Sequence, residues 1–361
     1  MDRRELKPPR LGAENLGRRV VDYRPMRAGR PRAEVERLEN GKLVLHNYGH
    51  GGSGWTIGPG AAAYVCDLLM RHADGDLNLE IAVVGAGILG LLTAYELVNR
   101  GYTRIKVVAE QFERLVSHHA GALLAPVSMQ NEPDALEWVN QIAMDSYKFY
   151  AAVAQGKMPG LRAEGTRALP AYFEDREGSG LEPYVERGIM AAAKDVEVSF
   201  GNGTIHQLVV YDDSYYMNTA IMMADLRVYL EAHHVEFVQR RVCDLARDVA
   251  EPFVFNCVGL GAAELGDTRM IPVQGHLILL QGQVEADIQY QISVSMECGV
   301  TSPSGHKMSR YFYMFPKQMD EFTGVFGGTF IVGAGREFHE TNNSEFEVMI
   351  RQAREFFGIK S

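Results

Sequence analysis

The feature that most constrains the fold is the stretch IAVVGAGILGLLTAYELVNRG at residues 81–101. An apolar run leads into three glycines spaced as GxGxxG (Gly85, Gly87 and Gly90), and an apolar helical pattern follows. In such a turn the first glycine permits the tight bend, the second lets the backbone approach a pyrophosphate, and the third allows close helix–strand packing. The helix N-terminus then offers N–H groups and a positive dipole end to phosphates. The stretch therefore predicts the strand–turn–helix unit of a Rossmann-like α/β fold.

The next predicted strand supports dinucleotide binding. RIKVVAE (104–110) ends in Glu110, where a carboxylate can accept hydrogen bonds from ribose hydroxyls. An acid at this position favours NAD or FAD over NADP. A second apolar strand with a small-residue turn, FNCVGLGAAEL at 255–265, is typical of two-dinucleotide flavoenzyme folds and favours FAD. The nucleotide-binding residues predicted around the first turn and strand are Gly85, Ala86, Gly87, Ile88, Leu89, Gly90, Glu110 and Gln111.

A second glycine-rich turn, HNYGHGGSGWTIGPG at residues 46–60, precedes the first one in the chain. Backbone N–H groups of such a turn, backed by a helix N-terminus, can bind an anion. The alternative is a hairpin turn with a helix cap. His46 and His50 lie in this turn, and we expect both rings to be packed or hydrogen-bonded rather than bound to a metal.

Composition excludes several classes of function. Lys and Arg number 36 and Asp and Glu 46, so the net charge is 36 − 46 = −10, which argues against a nucleic-acid partner. The four cysteines show no CxxC or metal-type spacing, so no metal site is predicted and a reducing, cytoplasmic location is expected. The longest apolar run, 81–98, contains Glu96 and three glycines, so it indicates strand–turn–helix and no membrane span.

The remaining pattern predicts a mixed chain. Prolines make residues 1–40 look loop-rich, and 73–80 has the composition of a linker. HLILLQG, RYFYMFP and FGGTFIVG predict strands of an antiparallel sheet. A short strand is expected at 41–49, and helices at 56–72, 217–234 and 344–358.

Several of these segments resemble the D-amino-acid oxidase and glycine oxidase family of FAD-dependent amine oxidases. The resemblance implies FAD as the cofactor and an α/β fold with a Rossmann-like FAD-binding domain interleaved with an antiparallel-sheet substrate domain. It is thin over 128–205 and 281–308. The segments that carry it are KVVAEQF (106–112), AGALLAP (120–126), VEFVQRRV (235–242), FNCVGLGAAEL (255–265), GGTFIVG (327–333) and, most closely, HNYGHGGSGWTI (46–57).

The order of these segments departs from the family. There the HNYGHGG segment lies near the C-terminus, after an arginine-bearing stretch that VDYRPMR (21–27) resembles. We therefore expect a circular permutation, in which residues 1–72 correspond to the family's C-terminal end and 80–358 to what precedes it. The expected FAD-binding domain comprises 1–130, 235–275 and 325–361, and the expected substrate domain comprises 131–234 and 276–324.

The resemblance also implies which further residues bind FAD. The early glycine loop would lie against the pyrimidine edge of the flavin, with the carbonyl of Gly52 accepting the substrate amine. His118 has the spacing from Gly121 at which some relatives tether their flavin through a histidine, although most members bind FAD non-covalently. The implied FAD-binding residues are Gly51, Ser53, Gly54, Trp55, Thr56, Ser117, His118, His119, Ala120, Gly121, Val242, Cys257 and Gly259.

The substrate side of the site is expected around two side chains. Arg24 matches the family's arginine that binds the substrate carboxylate, a task suited to a planar guanidinium fork. Its spacing from the glycine loop is tighter than in the family, so Arg27 is the next candidate. Tyr313 matches a tyrosine whose hydroxyl reaches the same carboxylate, whereas Ser309 stands where the family has a lid tyrosine. The neighbours of Ser309 on the strand, Arg310 and Tyr311, are candidates for adjusting specificity.

The implied reaction oxidises the C–N bond of an amino acid or N-substituted amino acid. A hydride passes to flavin N5, water hydrolyses the resulting imine, and O₂ reoxidises the flavin with release of H₂O₂. No general base is needed if the amine binds neutral. The alternatives are a flavin-dependent amine dehydrogenase with another electron acceptor and a non-catalytic flavin-binding protein. The expected partners are a small-molecule amine or amino acid and O₂, and a homo-oligomer is left open.

Overall fold

The computed structural model describes residues 2–121 and 123–359, which contain seventeen strands and seven α-helices. The strands are β1 (Asp2–Glu5), β2 (Leu16–Arg27), β3 (Arg32–Arg37), β4 (Leu43–Tyr48), β5 (Ile81–Val84), β6 (Ile105–Ala109), β7 (Thr166–Ala168), β8 (Ala171–Phe173), β9 (Lys194–Ser199), β10 (Ile205–Tyr211), β11 (Tyr215–Met217), β12 (Glu236–Gln239), β13 (Phe253–Asn256), β14 (Met270–Leu280), β15 (Gln291–Thr301), β16 (Lys307–Met319) and β17 (Phe322–Val332). The helices are α1 (Gly54–Met70), α2 (Ile88–Asn99), α3 (Val116–His119), α4 (Leu136–Ala154), α5 (Glu182–Glu186), α6 (Thr219–Ala232) and α7 (Glu345–Phe356).

The smaller of the two large sheets has the strand order β12-β6-β5-β13-β4-β3. Its first five strands are parallel and β3 is an antiparallel edge strand. Parallel sheets are buried on both faces, and alternate residues here enter two apolar clusters. Ile81 and Val83 of β5 join residues of α1, α2, α4 and α6 in one cluster, whereas Ala82 and Val84 join Val249 on the other face. The predicted Rossmann-like unit is confirmed.

Helix α1 is fitted to its neighbours by small residues and a proline. A Cβ on Gly58 would lie 2.9 Å from Leu92 of α2, so glycine allows the two helices to cross closely. Pro59 has no N–H to donate to the carbonyl of Trp55, four residues earlier. That carbonyl instead accepts a hydrogen bond from the Tyr150 hydroxyl of α4. The first turn of α1, which carries the early glycine loop, is thereby fixed against α4.

The larger sheet has nine strands in the order β1-β9-β10-β8-β15-β16-β17-β14-β2. Residues of β16 alternate between its faces: Phe312 and Met314 belong to the apolar cluster that includes α7, whereas Tyr313 and Phe315 pack with the cluster on the opposite face. The predicted strands HLILLQG, RYFYMFP and FGGTFIVG correspond to β14, β16 and β17, respectively. β17 lies between the other two and pairs antiparallel with both. This sheet presents Tyr313 toward the smaller sheet's loops.

The expectation that residues 1–40 are loop-rich is wrong, because they contain β1, β2 and β3. Proline usually breaks regular structure, yet Pro25 lies within β2. This strand ends the larger sheet, and an edge strand tolerates a residue without an N–H. Pro8 and Pro31 do fall between strands. Arg24 is consequently on a strand and not on a mobile loop.

Strand membership divides the chain differently from the expected domain boundaries. β2 and β17 belong to the larger sheet, whereas α4 and α6 pack on α1 and α2 beside the smaller one. The first 72 residues contribute to both sheets. The Arg354 guanidinium of α7 donates to the carbonyl of Leu11 at 2.8 Å, so the early chain lies beside the last helix. The circular permutation and the exact boundaries stay predictions.

Within residues 2–121 and 123–359, no helix has both the length and the apolar character needed to cross a membrane.

Candidate functional site

A cavity of about 790 Å³ opens where the larger sheet faces the loops of the smaller one. Four of the loops that line it follow the carboxyl ends of parallel strands: β4, β5, β6 and β13. Ligands of open α/β sheets bind in the crevice outside the carboxyl ends of the strands. The predicted cofactor and substrate residues that line this cavity are Arg24, Gly51, Gly52, Gly54, Trp55, Gly87, Ile88, Leu89, Ser117, Ala120, Gly121, Cys257, Gly259 and Tyr313.

The fingerprint turn has the geometry its glycines predict. Gly85 has φ +110°, a value that side-chain-bearing residues rarely adopt. A Cβ on Gly90 would collide with the carbonyl oxygen of Gly85, so the start of α2 lies directly against the turn. The amide of Ile88 donates to Ser117 Oγ at 3.0 Å, and a Cβ on Gly87 would stand 3.3 Å from the same oxygen. The first turn of α2 and Ser117 therefore form one wall of the cavity.

The early glycine loop forms an adjoining wall. Gly51 has φ +54°, and the amide of Gly52 donates to the carbonyl of Ser128 at 3.0 Å. Two of this loop's predicted cofactor residues do not line the cavity: the Ser53 hydroxyl donates to the carbonyl of Val127, and the Thr56 hydroxyl is 3.1 Å from two carbonyls of the 123–125 segment. These hydroxyls hold the 123–128 segment against the loop.

The segment around α3, residues 115–119, connects the two walls of the cavity. The Trp55 indole donates to the carbonyl of Ser117 at 3.0 Å. His119 Nδ1 lies 2.8 Å from an Asp22 carboxylate oxygen, and His118 Nδ1 accepts the Leu115 amide at 3.2 Å. Both histidine side chains line a neighbouring groove and not the main cavity. The covalent link through His118 stays a prediction.

The two histidines of the early loop differ in their partners. His46 Nε2 is 2.9 Å from Glu36 and its Nδ1 is 3.2 Å from the Asn256 amide, and burial lowers its pKa to about 4. His50 is buried and lines the cavity, and neither ring nitrogen has a hydrogen-bond partner in the described part of the chain. Burial lowers the His50 pKa to about 3, so its imidazole is neutral at ordinary pH.

Arg24, Tyr313 and Gly52 come together at one end of the cavity. Arg24 Nη2 donates to the Tyr313 hydroxyl at 3.1 Å, and Nη1 donates to the carbonyl of Thr329 at 3.1 Å. A Cβ on Gly52 would lie 3.4 Å from Arg24 Cδ. A Cβ on Gly275 would collide with Arg24 Nη1, so the absence of a side chain there makes room for the guanidinium. These three predicted residues converge on one region of the cavity.

Arg27, the other arginine of the motif, is engaged elsewhere. Its Nε is 2.7 Å from the Asp267 carboxylate, which also accepts the Tyr48 hydroxyl at 2.8 Å. Arg27 is not among the residues that line the cavity. Of the two candidate arginines, Arg24 faces the cavity.

The residues at and beside the expected lid position differ in whether they line the cavity. Ser309 and Arg310 do not line the cavity, and Arg310 forms ion pairs with Glu345 at 2.7 Å and Glu297 at 2.6 Å. Tyr311 does line it and is partly exposed. Tyr311 is therefore the better candidate of the pair for adjusting specificity.

Most of the remaining predicted cofactor residues lie around the smaller sheet, outside the main cavity. Glu110 and Gln111 are exposed just beyond the end of β6, and Ala86 lines the neighbouring groove. Val242 is half-buried and packs on the apolar cluster of Val84. Cys257 does line the cavity, and burial raises its pKa to about 12, so it remains a thiol.

Sequence reasoning missed part of the lining. The Phe330 ring centre lies 5.5 Å from the Arg24 guanidinium carbon, and its role in the lining was not predicted although it lies within the GGTFIVG segment (327–333). Three acidic residues of the loop after β8 also line the cavity, in a region where no motif marks them. The missed lining residues that bear a charge are Asp22, Glu174, Asp175 and Glu177.

The chain's own geometry fits a dinucleotide. Gly87 supplies no side-chain cap to α2, and although the Ile88 amide donates to Ser117 Oγ, the other amides of this first turn can face phosphates. The unpartnered ring of His50 is a buried polar group that lacks the hydrogen bond such groups usually make. The cavity of about 790 Å³ adjoins both walls and extends to Arg24.

Comparison with known proteins agrees with this geometry. The family model described as FAD dependent oxidoreductase (DAO) matches residues 80–360. A D-amino-acid oxidase of Streptomyces coelicolor is 31% identical over 212 residues, which cover 58% of this chain and 61% of that protein. A D-amino-acid oxidase of Schizosaccharomyces pombe is 28% identical over 218 residues, which cover 56% of this chain and 59% of that protein. The chain thus spans less than two thirds of the length of these curated relatives.

One solved structure is similar in fold. Fructosyl amine: oxygen oxidoreductase (Amadoriase I) of Aspergillus fumigatus superimposes with a TM-score of 0.50 at 12% identity, over 70% of this chain and 63% of that one. At this identity the likeness concerns the fold alone. Since the family model matches residues 80–360 of a 361-residue chain, the protein belongs to the DAO family of FAD dependent oxidoreductases, whose cofactor is FAD.

Proposed function

We propose that this protein oxidises the C–N bond of an amino acid or N-substituted amino acid to an imine, with O₂ as the final electron acceptor. The observation that carries the proposal is the Arg24–Tyr313 pair, which shares one cavity with the fingerprint turn. A nucleotide-binding protein without catalysis has no need of a guanidinium at the far end of the cofactor cavity.

Arg24 can bind a carboxylate while keeping its present contacts. A guanidinium has five N–H donors, and two of them already contact Thr329 and Tyr313. The others remain for a charge-assisted, two-pronged pair with a carboxylate. Tyr313 accepts from Arg24, which leaves its own proton to donate to the same carboxylate. The two side chains would therefore fix the acid end of an amino acid.

The cofactor walls would orient the other end of the substrate. FAD, when bound, supplies the two-electron oxidation by accepting a hydride from the carbon that bears the nitrogen. Gly87, Ile88, Ser117 and the Gly51–Gly54 turn would hold it in the cavity. Gly52 lies beside Arg24, so its carbonyl is close enough to this end of the cavity to accept the substrate amine.

Two titratable groups of the cavity lining, His50 and Asp22, are poorly suited to act as a general base. His50 is kept neutral by burial, which lowers its pKa to about 3, and the Asp22 carboxylate is already paired with His119. These facts support binding of the substrate with a neutral amine, so that the loss of the carbon's hydrogen needs no general base. The proton of the ammonium is lost to water before binding.

The test is flavin reduction in the absence of oxygen. We expect purified holoenzyme to lose its yellow colour when mixed anaerobically with a substrate from a panel of D-, L- and N-methyl amino acids. Readmitting oxygen should restore the colour and release one H₂O₂ per flavin. Reduction without peroxide would instead indicate a dehydrogenase, and no reduction by any amino acid on the panel would contradict the proposal.

A further inference from the structure

A buried lysine contacts the segment that forms the cavity wall. Lys317 lies on β16, beyond Tyr313, and is 1% exposed. Its ammonium donates to the carbonyl oxygens of His118 at 2.5 Å and Ala120 at 2.8 Å, and also to the Thr219 hydroxyl at the start of α6. No carboxylate pairs with it within the described residues.

Burying this ammonium costs free energy unless each of its N–H groups donates a hydrogen bond. A buried charge without a counter-ion is strongly disfavoured, and hydrogen bonds to dipoles must replace its hydration. An ammonium has three N–H donors, and three oxygens surround Lys317. Burial lowers the Lys317 pKa to about 7, so the proton is lost within the physiological range. A neutral amine keeps two N–H donors for the two carbonyls and can accept the Thr219 hydroxyl, but its bonds to the carbonyls lose their charge assistance and become weaker.

The carbonyls that Lys317 holds belong to the segment between Ser117 and Gly121. Ser117 accepts the amide of Ile88 from the fingerprint helix through its side chain and the Trp55 indole through its carbonyl. Ser117, Ala120 and Gly121 line the cavity on either side of the bonded carbonyls. The backbone conformation of residues 118–120 therefore determines the positions of the cavity-lining residues Ser117, Ala120 and Gly121.

We propose that Lys317 is a positioning residue for the cofactor: its protonated ammonium holds the 118–120 backbone in the conformation that receives FAD, and loss of that proton weakens FAD binding. This role depends on the family's cofactor and not on the proposed amino-acid substrate. It goes beyond the proposed reaction because it concerns how the site is assembled and kept.

Few other titratable groups face Lys317. Asp22 of β2 is the charge that acts on it, and this carboxylate is paired with His119. His118 carries one of the bonded carbonyls, and burial lowers the pKa of its own ring. The helix α6 contributes the Thr219 hydroxyl. On the rim of the neighbouring groove, Arg18 and Asp320 form a separate ion pair at 2.9 Å.

The experiment measures the dissociation constant of FAD from the full-length apoprotein between pH 6 and pH 9, by quenching of flavin fluorescence. For the wild type we expect the constant to rise above pH 7, by up to roughly tenfold per pH unit if binding takes up one proton. Lys317→Arg keeps its charge over this range, so its FAD affinity should stay independent of pH. Lys317→Met should bind FAD weakly at every pH.

A purely structural role would give the opposite sign. Because burial depresses the Lys317 pKa, the unfolded chain binds more protons than the folded one above pH 7, and this group makes the apoprotein more stable as pH rises. Melting of the apoprotein, followed by circular dichroism, therefore separates folding from cofactor binding. Lys307→Met, at the exposed start of the same strand, is the matched control and should leave the wild-type profile unchanged.

The proposal is overturned if the wild-type affinity for FAD is independent of pH, or if Lys317→Arg keeps the wild-type pH profile. Wild-type affinity in folded Lys317→Met would overturn it as well. None of these results bears on which amine is oxidised, so the proposed function is tested separately by anaerobic flavin reduction.

Discussion

Arg24 has its position because glycines surround it. Gly275 on the neighbouring strand β14 has no side chain where the guanidinium lies, and Gly52 of the early loop passes close to its Cδ. Gly327 gives the same clearance to the ring of Tyr313, since a Cβ there would collide with it. The geometry of the pair is therefore encoded partly by residues that make no polar contact.

Gly275→Ala tests this dependence without removing any charge. The added methyl would collide with Arg24 Nη1, the end of a flexible side chain, so the guanidinium should shift and the fold should persist. We expect FAD content to be unchanged and KM to rise for substrates that carry a carboxylate. Steady-state kinetics with a matched amine that lacks the carboxylate is the control, and it should change far less. An equal loss for both substrates would mean that the methyl disturbs the cofactor and not Arg24.

Sequence motifs identified Arg24 and Tyr313 but not Lys317, and the difference is physical. The first two stand in short stretches, YRP and YFYMFP, that resemble a family. Lys317 is a single lysine after an apolar strand, where a solvated side chain is the usual outcome. Its burial is decided by the 118–120 carbonyls and Thr219, which are distant in the chain. Such tertiary partners cannot be inferred from local sequence.

At the scale of elements, the β5–α2 unit combines two functions in one turn. Gly90 serves packing, because a Cβ there would collide with the Gly85 carbonyl, whereas Gly87 faces the cavity, and a Cβ there would lie 3.3 Å from Ser117 Oγ, a close contact with a side-chain atom. Two glycines three residues apart therefore have separable roles. One keeps the helix against the strand and the other leaves the backbone open to a phosphate.

We expect Gly87→Val and Gly90→Val to fail differently. Gly87→Val should fold and purify colourless, since the side chain occupies the space of the pyrophosphate. Gly90→Val should lose thermal stability with or without added FAD, because the fixed Gly85 backbone cannot move aside. Melting temperature and bound flavin per chain measure the two effects. A yellow Gly87→Val protein would contradict the assigned role of this turn.

Elements with strong periodicity were predicted, and those with mixed composition were not. The helices near 56–72, 217–234 and 344–358 correspond to α1, α6 and α7, shifted by a few residues at their ends. β15 was missed because its exposed residues, among them Glu297 and Cys298, interrupt the apolar alternation. β2 is hard to predict because Pro25 interrupts its pattern, although an edge position in the sheet makes that proline acceptable.

For the whole molecule, the early chain is built into both sheets. β1 pairs in parallel with β9 at one edge of the larger sheet, while β2 forms its other edge. β4 pairs with β13 in the smaller sheet. The end of α7 also meets the β9–β10 turn, where the Asn202 amide donates to the carbonyl of Phe357. The two ends of the described chain thus adjoin the same hairpin, which agrees with the permutation hypothesis.

Relinking the chain tests that hypothesis. A variant in which a flexible linker of about ten residues joins residue 359 to residue 2, with new ends opened at 73–80, should fold and bind FAD. Exposed linkers tolerate new termini, and 73–80 carries no helix or strand. The melting temperature and the flavin content should stay near those of the natural order. A relinked protein that aggregates, while a control with the same linker inserted in the exposed turn at 155–157 folds, would contradict it.

The most direct test of the central claim is Arg24→Met. We expect normal FAD content and a fall in kcat/KM of roughly a hundredfold or more for amino-acid substrates, because a buried pair that loses one partner costs about 3–5 kcal/mol and each ~1.4 kcal/mol is tenfold. Arg24→Lys should recover only part of this, since an ammonium lacks the two-pronged geometry. Amines without a carboxylate should be oxidised almost as before. Near-normal kcat/KM of Arg24→Met toward the amino-acid substrate would contradict the account.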